Sequence, residues 1–186
     1  MGWQSLPDVL ATERLLLRPW REEDRPALRR LNADPRVMEL MPAKLSPEES
    51  DRFMDRMQAG LQERGYGLLA AELRDTGECL GLVGLAAPQF QAHFTPCVEV
   101  GWRLLPEFWG RGFATEGARA CLQHAFGEVG LQEVVSFTVP HNLRSRRVME
   151  KLGMSHQPED DFDHPNLPEG HPLRRHVLYR LRRPEG

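Results

Sequence analysis

The feature that most constrains this chain is a strand, a glycine-rich loop and a helix in direct succession. An apolar run, "PCVEVGWRLLP", stops at Pro106, and "EFWGRGFATEG" follows from Glu107 to Gly117, with three glycines and one arginine. Apolar residues then recur at Ala114, Ala118, Cys121, Leu122, Ala125, Phe126 and Val129, the spacing of an amphipathic helix. "EVVSFTVP" closes the unit as a strand, so residues 97–139 read as one βαβ crossover. Its first strand alternates poorly and reads as buried on both faces. Glycine lets a backbone come close to a partner, and a helix start leaves unpaired N–H groups. The loop is therefore a place where something can bind.

The remaining pattern builds a layered domain around that unit. "ERLLLRPW" (13–20) predicts a strand ended by Pro19. "REEDRPALRRLNADP" predicts a short helix with Ala27, Leu28 and Leu31 inward, closed before Pro35. At Ser46, Pro47 and Glu49 stand a cap, a first-turn proline and a capping box. Phe53, Met54, Met57 and Leu61 then line one face of a long helix. "GLLAAELRDTGECLGLVGLAA" is a hairpin about Thr76-Gly77. "NLRSRRVMEKLG" is a short helix capped by Asn142 and ended by Gly153. After it comes a Pro, Asp and His-rich loop, with one short strand before it, and then the strand "HVLYRL" (176–181). The order β-α-α-β-β-β-α-β-α-β predicts a mixed sheet with helices packed on it.

Bulk properties exclude several classes. The chain has 186 residues, 40% hydrophobic and 27% charged, which suits a single domain over residues 1–186 with a core that needs no staples. A net charge of -3 argues against nucleic acid or a membrane surface as partner. Cys79, Cys97 and Cys121 are odd in number and contain no C-x-x-C, so disulfide and zinc-ribbon frameworks fail; they are expected as small buried residues. The N-terminus lacks a signal-peptide pattern, and no run approaches the roughly 18 apolar residues that span a bilayer. A cytoplasmic location is the default.

Two familiar phosphate loops can be tested on the glycines. A P-loop needs a Gly-Lys pair that is missing. A dinucleotide fingerprint needs G-x-G-x-x-G, and Gly110, Gly112 and Gly117 leave Thr115 where the third glycine belongs. The generic physics remains: amides at 110–115 and the helix dipole favour an anion. A tight turn with no ligand also fits the spacing, and Glu116 in the first turn has to point away from any anion.

Together, "LLPEFWGRGFATEG" and "NLRSRRVMEKLGM" resemble the GNAT superfamily of N-acetyltransferases. The opening "TERLLLRPWREED" and "NADPRVM" are similar to its RimJ/RimL-type branch. The resemblance runs from about residue 12 to 181. It implies a GNAT fold of the mixed α/β (α+β) class, with a central, mostly antiparallel sheet, a splayed parallel strand pair and helices on both faces. It also implies acetyl-CoA as cosubstrate. The family signature Q/R-x-x-G-x-G/A falls on Trp109 to Ala114, with Trp109 departing from it. The amides of Gly110, Gly112 and Ala114, with Thr115, Arg111 and Phe113 in the same loop, would hold the pyrophosphate. The strand before the loop would splay around a bulge and offer the main chain of Trp102 and Leu104 to the pantetheine arm. Asn142 would face the cofactor or serve only as a helix cap. Arg147 would meet the 3′-phosphate or belong to a solvated basic face.

Acetyl transfer needs a neutral amine and a proton for the leaving thiolate. An α-amine with pKa near 8 is about one-tenth neutral at pH 7. Glu99, a lone carboxylate in an apolar strand, is the candidate base; an arginine-paired surface carboxylate is the other reading. The resemblance puts Ser145 in the proton-donor role, since Met149 stands where many relatives carry a Tyr. The His and Asp residues of 156–176 match no metal-ligand spacing, so no metal is expected, and their loop reads as a border of the acceptor cleft. Residues 36–65 and 88–96 are expected on the acceptor side. The acceptor would be a small-molecule or peptide amine, and the protein a monomer or homodimer. A catalytically silent acyl-CoA-binding module and a nucleotide-binding protein stay open as other readings.

Overall fold

The computed structural model describes residues 9–184; residues 1–8, part of the stretch read as lacking a signal peptide, lie outside the described residues. Nine strands form one sheet: β1 (Leu10–Ala11), β2 (Leu15–Arg18), β3 (Leu68–Leu73), β4 (Cys79–Ala86), β5 (Glu99–Leu104), β6 (Glu133–Thr138), β7 (Ser155–His156), β8 (Phe162–Asp163) and β9 (Arg175–Arg182). The helices are α1 (Arg25–Ala33), α2 (Pro35–Met38), α3 (Pro47–Arg64), α4 (Phe113–Gly127) and α5 (Leu143–Lys151). The spatial order is β1-β2-β3-β4-β5-β6-β9-β7, with β8 on β9. Only β5 and β6 run parallel among the described pairs. This is the mixed class that the sequence predicted, with three short elements added: β1, α2 and β8.

Local rules account for the main elements. Ser46 Oγ accepts from the Glu49 amide at 3.2 Å, and Glu49 Oε2 accepts from the Ser46 amide at 2.7 Å, so the capping box is complete. Gly65 ends α3 at φ 78°, where a side chain would be strained. The β3–β4 hairpin turns at Gly77, φ 72°. Two-residue alternation gives the sheet two unlike faces. On one, Leu15 and Val83 meet α4, and an added Cβ at Gly117 would already lie 3.2 Å from Val83. On the other, Ala70, Leu82 and Arg103 stand in one cross-strand row beneath α1 and α3. Leu28, Leu31, Met54, Met57 and Leu61 fill that side. A second, smaller core gathers Phe94, Val135, Phe162 and Leu178.

Three expectations need correction. Strand β5 is not buried on both faces: Val100 and Leu104 are buried, while Glu99, Gly101 and Arg103 on the opposite face, and Trp102 beside the gap, are only partly buried, because they border an open cleft. No bulge interrupts β5 against β4; their register is regular from Gly81↔Leu104 to Ala86↔Glu99, and the register shift lies instead in β3–β4 at Ala71/Glu72. Of the cysteines only Cys121 is buried, with Cys79 and Cys97 half-buried near strand ends. Desolvation still pushes all three thiols up, to about 11 for Cys79 and Cys97 and about 12 for Cys121.

Candidate active site

The parallel pair opens at once. Glu99↔Val135 is its single register point, closed by the Val135 amide donating to Val98 O at 2.9 Å. Beyond it β5 and β6 diverge. On the β4 side, the Leu105 amide donates to Leu80 O at 2.8 Å. Alternation therefore turns the main-chain groups of Val100, Trp102 and Leu104 toward the gap. The gap widens into a cleft of about 890 Å³, the size of a small-molecule site.

The glycine loop forms the wide end of that cleft. Gly110 and Gly112 sit at φ 71° and 84°, in the left-handed region. Gly112 is the cap of α4 and supplies no side chain to its first turn. The amides from Gly110 to Thr115 donate to no protein oxygen among the described residues. Six adjacent N–H groups at a helix N-terminus are thus left for a ligand. Glu116 points away, as an anion site requires. Its Oε1 accepts from Thr12 Oγ1 at 2.6 Å and from the Arg14 amide at 2.8 Å, and Arg14 Nε bonds Oε2 at 2.7 Å. Desolvation pulls this carboxyl up, but the hydrogen bonds from Thr12 and Arg14 outweigh it and leave it below the usual range. Trp109 is also accounted for. Its Nε1 donates to Leu104 O at 2.8 Å, and the Arg144 guanidinium lies 3.8 Å over its ring. The Leu104 carbonyl is thereby occupied; Trp102 and the Leu104 amide are the main-chain groups still facing the gap. The Arg111 side chain leaves the cleft and packs toward the Phe113 and Phe108 rings, at 5.1 and 5.9 Å. Phe113 itself is a core residue, 2% exposed.

At the narrow end Glu99 borders the cleft with no hydrogen-bond or ion-pair partner among the described residues. The arginine-paired reading of Glu99 therefore fails. Desolvation pushes its carboxyl up to about 8, into the range where a group can exchange protons near neutral pH. Across the cleft Asn142 does cap α5: its Oδ1 accepts from the Ser145 amide at 3.3 Å. Its Nδ2 donates to Thr138 Oγ1 at 2.9 Å and to Ser145 Oγ at 3.1 Å. Because Ser145 Oγ accepts there, its own proton is free to be donated into the cleft. Arg147 and Lys151, one helical turn apart, line the same wall. Arg146 does not; it bonds Tyr179 Oη at 3.2 Å and Pro140 O at 2.9 Å.

A family model described as an acetyltransferase (GNAT) domain matches residues 14–155. The chain belongs to the GNAT acetyltransferases. It is 33% identical over 155 residues to the FsC-acetyl coenzyme A-N(2)-transacetylase of Aspergillus fumigatus, covering 80% of this chain and 65% of that one. It is 34% identical over 148 residues to YkkB, an uncharacterized protein of Bacillus subtilis, covering 78% and 84%. The solved acetyltransferase from Agrobacterium tumefaciens superposes with a TM-score of 0.76 at 32% identity over 97% of both chains.

As a GNAT enzyme the protein is an acyltransferase, and its cleft contains residues that the sequence did not single out. Arg36, Val37, Leu40, Met41 and Pro42 form one wall; of the stretch 36–65 expected on the acceptor side only this first part lines the cleft, because α3 turns Met54, Met57 and Leu61 into the core. His164, Asn166, Leu167, Leu173 and His176 form another, so the histidine-rich loop does border the cleft. Loop 88–96 does not line it; Phe90 and Phe94 turn into the aromatic core, with Phe94 and Phe162 ring centroids 4.7 Å apart. Other members of the His and Asp group pair locally, as His156 does with Asp161 at 2.7 Å. Among the described residues no three His, Cys, Asp or Glu side chains converge as metal ligands, and no helix is long and apolar enough to cross a membrane.

Proposed function

We propose that this GNAT chain transfers acetyl from acetyl-CoA to a primary amine by direct attack on the thioester. One observation carries the reading: six partnerless amides stand at the wide end of a strand gap whose narrow end holds an unpaired carboxylate. Those amides suit a pyrophosphate, and the main chain of Trp102 with the Leu104 amide suits the pantetheine arm. Arg147 and Lys151 suit the 3′-phosphate. The amine nitrogen attacks the thioester carbon, Glu99 takes its proton, and the C–S bond breaks. Ser145 gives or relays a proton to the departing thiolate. A thiol with pKa near 8.5 leaves without much assistance, so Ser145 is the lesser contributor.

The opening "TERLLLRPWREED" favours the RimJ/RimL-type branch, whose acceptors are protein N-terminal amines; small-molecule amines are the other acceptor class, in a cytoplasmic setting. The test is thiol release from acetyl-CoA over a panel of peptides, polyamines and amino compounds, alongside calorimetry with acetyl-CoA. Tight binding and release with some amines is expected. Binding of ATP but not of acetyl-CoA would overturn the reading. Gly112→Asp places a side chain and a negative charge among the amides and is expected to abolish acetyl-CoA binding; undiminished affinity would remove the loop as the site.

A further inference from the structure

Arg18 and Arg103 stand in one cross-strand row, Arg18↔Ala70↔Leu82↔Arg103. Their surroundings differ completely. Arg18, 3% exposed, meets Asp24 at 2.7 and 2.9 Å and Glu72 at 2.6 Å. Arg103 has no carboxylate partner among the described residues. Its Nη1 donates to Asn32 Oδ1 at 2.7 Å, and its Nη2 lies 3.9 Å from Met41 Sδ. Both contacts are neutral. A guanidinium has five N–H donors, so most of its capacity is unfilled. Burial without a counter-charge lowers its pKa to about 10.

This cation is also held in place. Asn32 is fully buried, and its Nδ2 donates to Ser50 Oγ at 3.0 Å; Ser50 is 1% exposed. Two buried polar residues on α1 and α3 thus fix the guanidinium from behind, and such groups are costly inside a protein unless they serve each other. On the cleft side, Glu99, Gly101 and Arg103 share one face of β5. Gly101 lies between the two charged residues, and a Cβ there would meet nothing within 4 Å. The two residues stand about 13 Å apart along the strand, with open space over Gly101 between them. Arg36, Arg103, Arg144, Arg147 and Lys151 line the cleft, with Glu99 its only carboxylate among the described residues.

We propose that Arg103 receives a carboxylate carried by the acceptor, which selects the small-molecule class over protein N-termini: a small amine bearing a carboxylate that lies across Gly101 with its nitrogen at Glu99. This deepens the acetyl-transfer reading and rests on it. A planar fork matches a carboxylate better than any neutral group, and a desolvated cation with spare donors gains most from one.

The test compares ω-amino carboxylates of increasing length with their primary carboxamides, as kcat/KM by thiol release, and as binding by saturation-transfer NMR. Wild type is expected to prefer the acid at least about tenfold at the best length. Arg103→Gln should reduce that ratio to near one, and Arg103→Lys should keep part of it. Asn32→Asp gives Arg103 an internal carboxylate of the same shape and should also lower the ratio. Equal use of acid and amide by wild type, or an equal loss on both in Arg103→Gln, would overturn the proposal. If no amine releases thiol, acetyl transfer fails as a reading. Binding then decides: acids bound by wild type and released by Arg103→Gln uphold the carboxylate site, and indifference to the variant sinks it.

Discussion

Glu99 and Arg103 occupy the same face of one strand, and each lacks the ion-pair partner that the buried Arg18 and Asp24 find in each other. The carboxylate was legible in the sequence because a lone Glu in an apolar run needs a reason. The arginine was not, because "VEVGWRL" reads as doubly buried; with Gly101 as open space the strand alternates cleanly, Val98, Val100, Trp102 and Leu104 against Glu99, Gly101 and Arg103. Glu99→Gln is expected to lower turnover by about 10²–10⁴-fold with acetyl-CoA affinity retained in calorimetry. A base must be ionised, so wild-type kcat/KM should rise with pH through about 8, measured with an acceptor amine whose own pKa is well below that. Loss of this limb in Glu99→Gln is the expected sign. The same group affects folding in the opposite direction. A carboxyl whose folded pKa is raised contributes stability below its unfolded value, here 4.5, and loses it as pH rises through the folded value near 8. Glu99→Gln should therefore gain on wild type in chemical denaturation above about pH 8, by about 1–3 kcal/mol, while being the worse enzyme.

Among the elements, α4 begins with amides that no protein group among the described residues claims. Gly112 permits the left-handed turn and brings no capping side chain, so the first-turn amides stay unclaimed. Glu116 then ties the helix to the β1–β2 turn through Thr12 and Arg14. Glu116→Ala should cost about 1–2 kcal/mol in urea denaturation, at the low end because Arg14 is 42% exposed at its side chain, and should weaken acetyl-CoA binding as the loop loses its anchor. The α3 capping box, the Thr76-Gly77 hairpin and the α4 periodicity could be read directly, because each depends on neighbours a few residues apart. Strands β1 and β8, each two residues long, and the four-residue α2 could not: none completes a hydrophobic period, and each exists because a distant strand or helix offers it a place. The places of Trp109 and Glu116 are likewise set by tertiary contact, with Leu104 and Arg144 for the first and Thr12 and Arg14 for the second.

Over the whole molecule, two cores divide the work. The larger lies under α1, α3 and α4; the smaller packs Phe90, Phe94, Phe137 and Phe162 beside His164 and His176. Phe162→Ala should cost about 3–5 kcal/mol in thermal or urea unfolding and disturb the cleft wall that His164 and His176 form. Desolvation holds both histidines below their ordinary 6.5. A base with a depressed folded pKa resists protonation, so stability is present above about 6.5 and falls as pH drops through that value toward the folded ones; acid titration of wild type against His176→Gln, by denaturation, should show the variant losing less. The one-pair contact at Glu99↔Val135 has a wider consequence. It makes the sheet two leaves joined at a single stitch, β1–β5 on one side and β6, β9 and β7 on the other. On the proposed reading, an extended pantetheine arm laid in the opening would act as a removable tenth strand, completing the sheet only while the cosubstrate is bound. Loaded and empty protein should then differ most in amide exchange at residues 100–104 and 136–138, and each turnover would add and remove one strand of the sheet.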